Sequence, residues 1–224
     1  KIRNHLIMLS FPLFLHRGFV LDLCAALAAC STIIETERLI DFTPDLLTLP
    51  KDRFEIQPLQ GNWMIIDHYN ASYESLNAAL DLLVEMKRIG FIPHFRLVLG
   101  SVLETGGYTD EIHARIGEKI LESGPLSVYL FSREPSILKT KSVLQKDPDD
   151  RPDSTQDRIL FFESSNPEEI AIKIARDVST SNNHVFYFKA SRMVRMEEVV
   201  ESVLDLLDRG NCHDSDLQIQ HTSF

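Results

Sequence analysis

The sequence predicts an open α/β fold, a mostly parallel sheet with helices on both faces. Two observations predict it. From residue 53 onward, apolar runs of strand length alternate with longer segments of helical periodicity. Polar side chains also collect just after several of the apolar runs, and ligands bind at such strand ends in open α/β sheets. The 224 residues are 44% hydrophobic and 25% charged, enough apolar material for a core of normal size.

The elements follow in order. Residues 5–15 form a continuous apolar run that reads as a strand. Residues 19–32, FVLDLCAALAACST, read as a buried, alanine-rich helix. Lys1, Arg3 and the run Leu6 to Leu15 mimic a signal peptide, with Ala25-Ala26-Leu27-Ala28-Ala29 as its cleavage region. Pro12 and His16-Arg17-Gly18 break that run well short of a membrane span, so strand and helix are the better reading. The first residue is Lys rather than Met, which reads as a fragment or a processed product. A short helix over 42–48 has Thr43 as its cap and Pro44 in its first turn. Leu49-Pro50-Lys51-Asp52 is a linker, and the domain boundary is placed there.

Beyond it, 54–59 and 63–67 read as strands around the turn Gly61-Asn62. A helix over 73–88 turns Leu76, Leu80, Leu83 and Met86 inward. A strand over 94–99 ends at Gly100, and a helix over 109–122 carries Ile112, Ile116 and Ile120 on one face. A strand over 126–131 and a weak helix over 134–145 follow. Residues 146–157, QKDPDDRPDSTQ, read as a mobile surface loop. Then come a strand over 158–162, a helix over 166–177, a strand over 184–188 and a helix over 192–208. Residues 210–224 read as a flexible tail.

The net charge of −10 argues against non-specific affinity for nucleic acid or anionic membranes. Cys24, Cys30 and Cys212 have neither metal-ligand spacing nor an even-numbered disulfide framework. They read as reduced thiols of a cytoplasmic protein, and no metal site is expected from them.

Four strand ends carry candidate binding groups. The first offers Asp67, His68, Tyr69 and Asn70; the second Gly100, Ser101 and Glu104; the third Ser132 and Arg133; the last Lys189, Ser191 and Arg192. Lys189 and Arg192 at a helix start favour an anion, because the helix N-terminus adds donors and partial positive charge. Read from pattern alone, this is an α/β domain that binds an anionic ligand.

Several segments resemble motifs of the Mur ligase family, in the branch that adds D-alanyl-D-alanine to the peptidoglycan precursor. IIDHYNAS at 65–72 resembles that branch's DDSYNANP; LPKDRFEI at 49–56 resembles its hinge; VLGSVLETGG at 98–107 resembles VLGDMLELG; FKASRMVRMEEVV at 188–200 resembles a late KGSR motif and its helix. Gly18 to Ala29 resembles the last helix of the central domain. The resemblance implies three regions. Residues 1–50 would be the end of the central ATP-binding domain plus the hinge, 51–209 a Rossmann-like C-terminal domain, and 210–224 the tail. It implies ATP and Mg2+ as cofactors, held mostly by upstream regions. UDP-linked muramoyl peptide and D-alanyl-D-alanine are the implied substrates, and a monomer is expected. It places Arg53, Asp67, Tyr69, Asn70 and Asp22 toward the nucleotide. Glu104, Lys189, Ser191 and Arg192 are placed toward the substrates, and His113 matches a histidine of the helix after VLGDMLELG.

The chain departs from the family pattern at several positions. Ile66 and Ser101 stand in place of aspartates, His68 in place of serine, and Asp52 and Ala190 in place of glycines. Gly18 and Asp22 stand at positions usually held by His and Asn. No G-x-x-G-K-[ST] phosphate loop occurs in the sequence, so the chain by itself is expected neither to hydrolyse ATP nor to form an amide bond. Two other readings are open, a diverged non-catalytic binding or scaffold module and a ligase like folylpolyglutamate synthase. That last family prefers a DGAHNP-type motif.

Overall fold

The computed structural model describes residues 17–34, 50–145 and 159–209. The strand read over 5–15, the helix over 42–48, the loop over 146–157 and the tail over 210–224 lie outside these residues. Contacts divide the chain into two compact units, 1–50 and 51–224.

In the first unit, α1 is Arg17–Cys30. None of its residues is buried, contrary to the expected buried helix. Its sequence is apolar nearly all round, which is the pattern of a helix with neighbours on every side. Periodicity reports that pattern and does not supply the neighbours.

The second unit is built on a six-stranded sheet in the order β1-β2-β6-β3-β4-β5. The strands are β1 Glu55–Leu59, β2 Asn62–Asp67, β3 Phe95–Leu99, β4 Ser127–Phe131, β5 Leu160–Ser164 and β6 Val185–Lys189. β1 and β2 form an antiparallel hairpin, while every other pairing is parallel. The helices are α2 Tyr73–Arg88, α3 Thr109–Ser123, α4 Ile137–Leu144, α5 Pro167–Ser179 and α6 Glu197–Asp208.

The central strands β3, β4 and β6 are buried throughout, as parallel strands covered on both faces must be. On one face Met64, Ile66, Val98, Tyr129, Phe131, Phe186 and Phe188 pack with the apolar stripes of α5 and α6. Alternation along the strands sends Ile65, Asp67, Leu97, Leu130, Tyr187 and Lys189 to the opposite face. There α2, α3 and α4 pack side by side. The inward stripe read on α2 is correct, since Leu76, Leu80, Leu83 and Met86 are all buried.

One predicted helix is divided. Residues 192–208 form a 3-10 turn over Arg192–Val194 and then α6. Arg195 separates them with φ +60, a left-handed conformation that interrupts a helix.

Candidate functional site at the C-terminal strand ends

β2 and β6 lie side by side and in parallel, with Asp67 opposite Lys189. Both side chains fall on the α2 face of the sheet. The Lys189 ammonium donates to Asp67 Oδ2 at 2.7 Å, with side-chain exposures of 4% and 8%. Tyr187, two residues earlier on the same face, donates its hydroxyl to the same oxygen at 2.7 Å. Burial pushes the Lys189 ammonium below its ordinary range; Asp67 opposes that shift and Arg53 adds to it. Burial, then the adjacent Asp67 charge, raises the Tyr187 phenol well above its ordinary range, so it remains a donor. A charge pair this dry persists only because each partner is satisfied by the other.

The loops leaving these strands are tied together. Gly100 N–H donates to Lys189 O at 2.9 Å, Ser191 N–H to Ser101 O at 3.0 Å, and Leu103 N–H to Ser191 Oγ at 2.9 Å. Gly100 leaves no room for a side chain. An added Cβ would lie 2.7 Å from Val194 Cγ1 and 2.9 Å from Ala190 Cβ. The segments VLGSVLETGG and FKASR therefore touch backbone to backbone.

After Asp67 the chain turns outward. Tyr69 N–H donates to Asp52 O at 3.1 Å, which fastens the linker to the end of β2. Arg53 lies over the Tyr69 ring at 4.2 Å and Arg192 lies 5.2 Å from the same ring. All three are exposed at the rim. The rest of the turn opens α2. Asn70 Oδ1 accepts from Ala71 N–H at 2.8 Å, and Ser72 and Ser75 form a reciprocal capping box.

Thus the linker, IIDHYNAS and the FKASR segment more than a hundred residues further on meet at one edge. Known proteins resemble this chain in sequence and in fold. A 170-residue stretch, 75% of this chain, is 28% identical to UDP-N-acetylmuramoyl-tripeptide--D-alanyl-D-alanine ligase of Escherichia coli K12. The Rickettsia prowazekii ligase of that name is 32% identical over 84 residues, 38% of this chain and 18% of that protein. The structure of MurF ligase from Thermotoga maritima in complex with ADP superposes with TM-score 0.69 at 26% identity, covering 90% of this chain and 41% of that one. A MurF structure from Acinetobacter baumannii, at 19% identity and TM-score 0.65, covers 88% of this chain and 40% of its own and shows the same fold. The chain resembles the C-terminal portion of a MurF-type Mur ligase. It spans about a third of the E. coli relative, 32%. No family model matches it.

The remaining candidates of this Mur-ligase-like chain are placed as follows. Ser191 is buried, and its hydroxyl oxygen accepts a backbone bond. Glu104 is exposed in the loop after β3 with φ +61. Ser132 and Arg133, at the third strand end, hydrogen-bond Glu163 and Glu198. Asp22 is exposed on α1, in the other unit.

Two residues have structural work. Ser101 is fully buried; its hydroxyl donates to Glu134 O at 3.0 Å and accepts from Ile137 N–H at 3.1 Å, opening α4. His113 is fully buried between Val102 and Thr140. Thr140 donates its one hydroxyl proton to His113 O at 2.9 Å, so it accepts from Nδ1–H. Nε2 lies 3.3 Å from Val102 N and 3.2 Å from Val102 O. Burial lowers the His113 pKa, in keeping with a neutral ring.

The sequence reading missed Tyr187. Its signal was a phenol inside the otherwise apolar strand VFYF, where a buried hydroxyl must find a partner. The reading also missed a cleft of about 330 Å3 on the opposite face of β2, between the β1–β2 hairpin and α6. Ile66 and His68, two departures from the family motif, line it.

Proposed function

We propose that this chain is the C-terminal part of an ATP-dependent, amide-forming ligase of peptidoglycan precursor synthesis. The intact enzyme adds D-alanyl-D-alanine to a UDP-linked muramoyl peptide, in the cytoplasm and as a monomer. One observation carries the reading. Motif segments far apart in sequence meet through the buried Asp67–Lys189 pair at the C-terminal edge of a parallel sheet. Likeness to an ADP-bound MurF structure over 90% of this chain supports it.

In the intact enzyme ATP would give its γ-phosphoryl group to the substrate carboxylate and leave as ADP, and the incoming amine would displace inorganic phosphate from the acyl phosphate to form the amide. The exposed rim suits an anionic nucleotide, since Tyr69 offers an aromatic face between the cations Arg53 and Arg192. Arg53, Tyr69 and Asn70 hold the nucleotide, and Asp67 accepts a hydrogen bond from it. Asp22 is assigned to the nucleotide on the motif resemblance alone. Arg192, Ser191 and Glu104 lie toward the incoming amine and the acyl phosphate. Lys189 acts from behind, holding Asp67 in place. Among the described residues no group of three His, Cys, Asp or Glu side chains can hold a metal ion. We assign Mg2+ to the nucleotide phosphates and to other parts of the enzyme.

The test is a chimera in which residues 51–209 replace the matching region of the E. coli ligase. Turnover dependent on ATP, UDP-linked muramoyl tripeptide and D-alanyl-D-alanine supports the reading. A folded chimera that binds the UDP-linked peptide and turns over nothing contradicts it.

A further inference from the structure

Tyr187 is fully buried in the middle of β6, yet it carries a hydroxyl. Its register partners are apolar, Ile65 on β2 and Leu97 on β3. A phenylalanine there would bury its ring with no polar group to satisfy, whereas the phenol needs an acceptor. It finds one in Asp67 Oδ2 at 2.7 Å. Asp67 lies two residues along β2 from Ile65, a diagonal position within reach of an aromatic side chain. Lys189, directly opposite Asp67, donates to the same oxygen at 2.7 Å. Both donors are thus spent on Oδ2, and neither is spent on Oδ1.

The two donors differ in stiffness. A lysine ammonium is a point charge on a flexible aliphatic stem. The last torsion of an aspartate is broad, so a lysine alone can follow either oxygen as the carboxylate turns. The phenol is a rigid ring, and here the ring is closed in. Phe54, itself fully buried, lies tilted against it with centroids 6.1 Å apart. Phe54 holds φ +54, a left-handed backbone that a bulky residue adopts only where its surroundings impose it. The Tyr187 hydroxyl is therefore the fixed point of the cluster, and it selects which Asp67 oxygen is turned toward β6.

We propose that Tyr187 is a positioning residue for nucleotide binding. Its hydroxyl pins Asp67 Oδ2 against β6 and leaves Oδ1 as the oxygen offered to a hydroxyl or amino group of the nucleotide. Tyr187 touches no substrate and acts through Asp67. The inference rests on the reading of this strand edge as the nucleotide site. Arg53 checks that reading separately, because it stands on Tyr69 at the exposed rim and takes no part in the hydrogen bonds to Asp67.

The probe is ADP, titrated into the 224-residue chain and followed by calorimetry and by the NMR signal of the Asp67 side-chain carboxyl carbon. In the parent chain ADP should bind saturably and shift that carbon. Tyr187→Phe keeps the ring and removes only the hydroxyl. It should move the carboxyl signal in the ligand-free chain, shrink the shift that ADP causes there, and weaken ADP binding about three- to tenfold, less than the loss of a direct charged contact. Arg53→Ala should weaken binding while leaving the ligand-free Asp67 signal in place. If Arg53→Ala weakens binding and Tyr187→Phe does not, the proposal is overturned and the nucleotide reading stands. A weaker Tyr187→Phe whose Asp67 signal and response to ADP match the parent would also overturn it, since the effect would not pass through Asp67. No saturation in the millimolar range, no ADP shift at Asp67 in the parent, or full binding by Arg53→Ala would contradict the nucleotide reading of this edge and remove the proposal with it.

Discussion

The two ends of the sheet carry similar clusters, each a cation, a carboxylate and a tyrosine. At the C-terminal end, Lys189 and Tyr187 both donate to Asp67, and the cluster is dry. At the N-terminal end, Arg96 pairs with Asp177 at 3.0 Å and Tyr129 donates to the same carboxylate oxygen. That second cluster is looser. Asp177 is 33% exposed, and Arg96 Nε and His184 Nδ1 are buried without a partner among the described residues. His94 stacks edge-on against His184, with centroids 5.1 Å apart. A buried ion pair is therefore no mark of a site in itself. What distinguishes the upper cluster is its surroundings, strand ends from which loops project an aromatic ring and two arginines.

The comparison can be broken by removing one charge at each end. Lys189→Met leaves the Asp67 carboxylate buried and unpaired, which should cost about 3–5 kcal/mol. Arg96→Met leaves Asp177 partly in water and still bonded to Tyr129, so its cost should be smaller, about 1–3 kcal/mol. Urea unfolding of both variants measures the difference, and a larger loss at Arg96 would reverse our ordering.

Titration sharpens it next. Burial lowers the His184 pKa, with Arg96 and His94 adding like charge, and burial also lowers that of His113. Below the ordinary value of 6.5 the unfolded chain takes up protons that the folded chain refuses. Stability from these groups is full above 6.5 and drains away as pH falls. Thermal unfolding at pH 7.5 and 5.5 should show a lower midpoint at 5.5. His113→Gln and His184→Gln should each flatten that slope, whereas a slope unchanged in both would remove histidine as its cause.

The smallest effect is expected at the linker. Asp52 has φ +60, and the resembled motif has glycine there. Asp52→Gly relieves a left-handed aspartate but frees the unfolded chain, so the net gain should be under about 1 kcal/mol. A loss greater than that would show that the Asp52 carboxylate, 4.0 Å from His68, stabilises the fold.

The same contrast explains what could be read from sequence. The upper cluster lies in segments whose wording was informative, and Asp67 and Lys189 were both singled out, although not as partners. Pairing across a parallel sheet depends on strand order, and β6 enters between β2 and β3 from more than a hundred residues away. No local pattern encodes that. The antiparallel pairing of β1 with β2 follows from their short turn. The lower cluster went unnoticed although Arg96 stands inside the apolar strand FRLVL, where a charge must find a partner. Ser101 illustrates the opposite error. It looked like a strand-end ligand group, yet its hydroxyl is spent on Glu134 and Ile137. The strands and long helices of 51–209 were legible where the structure describes them, because most strands are short apolar runs and each long helix has one buried stripe, but the 3-10 turns at Gly106–Tyr108 and Arg192–Val194 were not.

The most direct test of the central claim is the KM for ATP of the chimeric ligase carrying Arg53→Ala, with ATP and D-alanyl-D-alanine varied separately. Arg53 sits on Tyr69 at the nucleotide rim, and losing a charge-assisted contact typically costs about 1.5–3 kcal/mol. The account predicts that ATP use weakens by roughly one to two orders of magnitude, with the dipeptide KM unchanged and His68→Ser tolerated. Unchanged parameters in Arg53→Ala, together with activity abolished by His68→Ser, would contradict it.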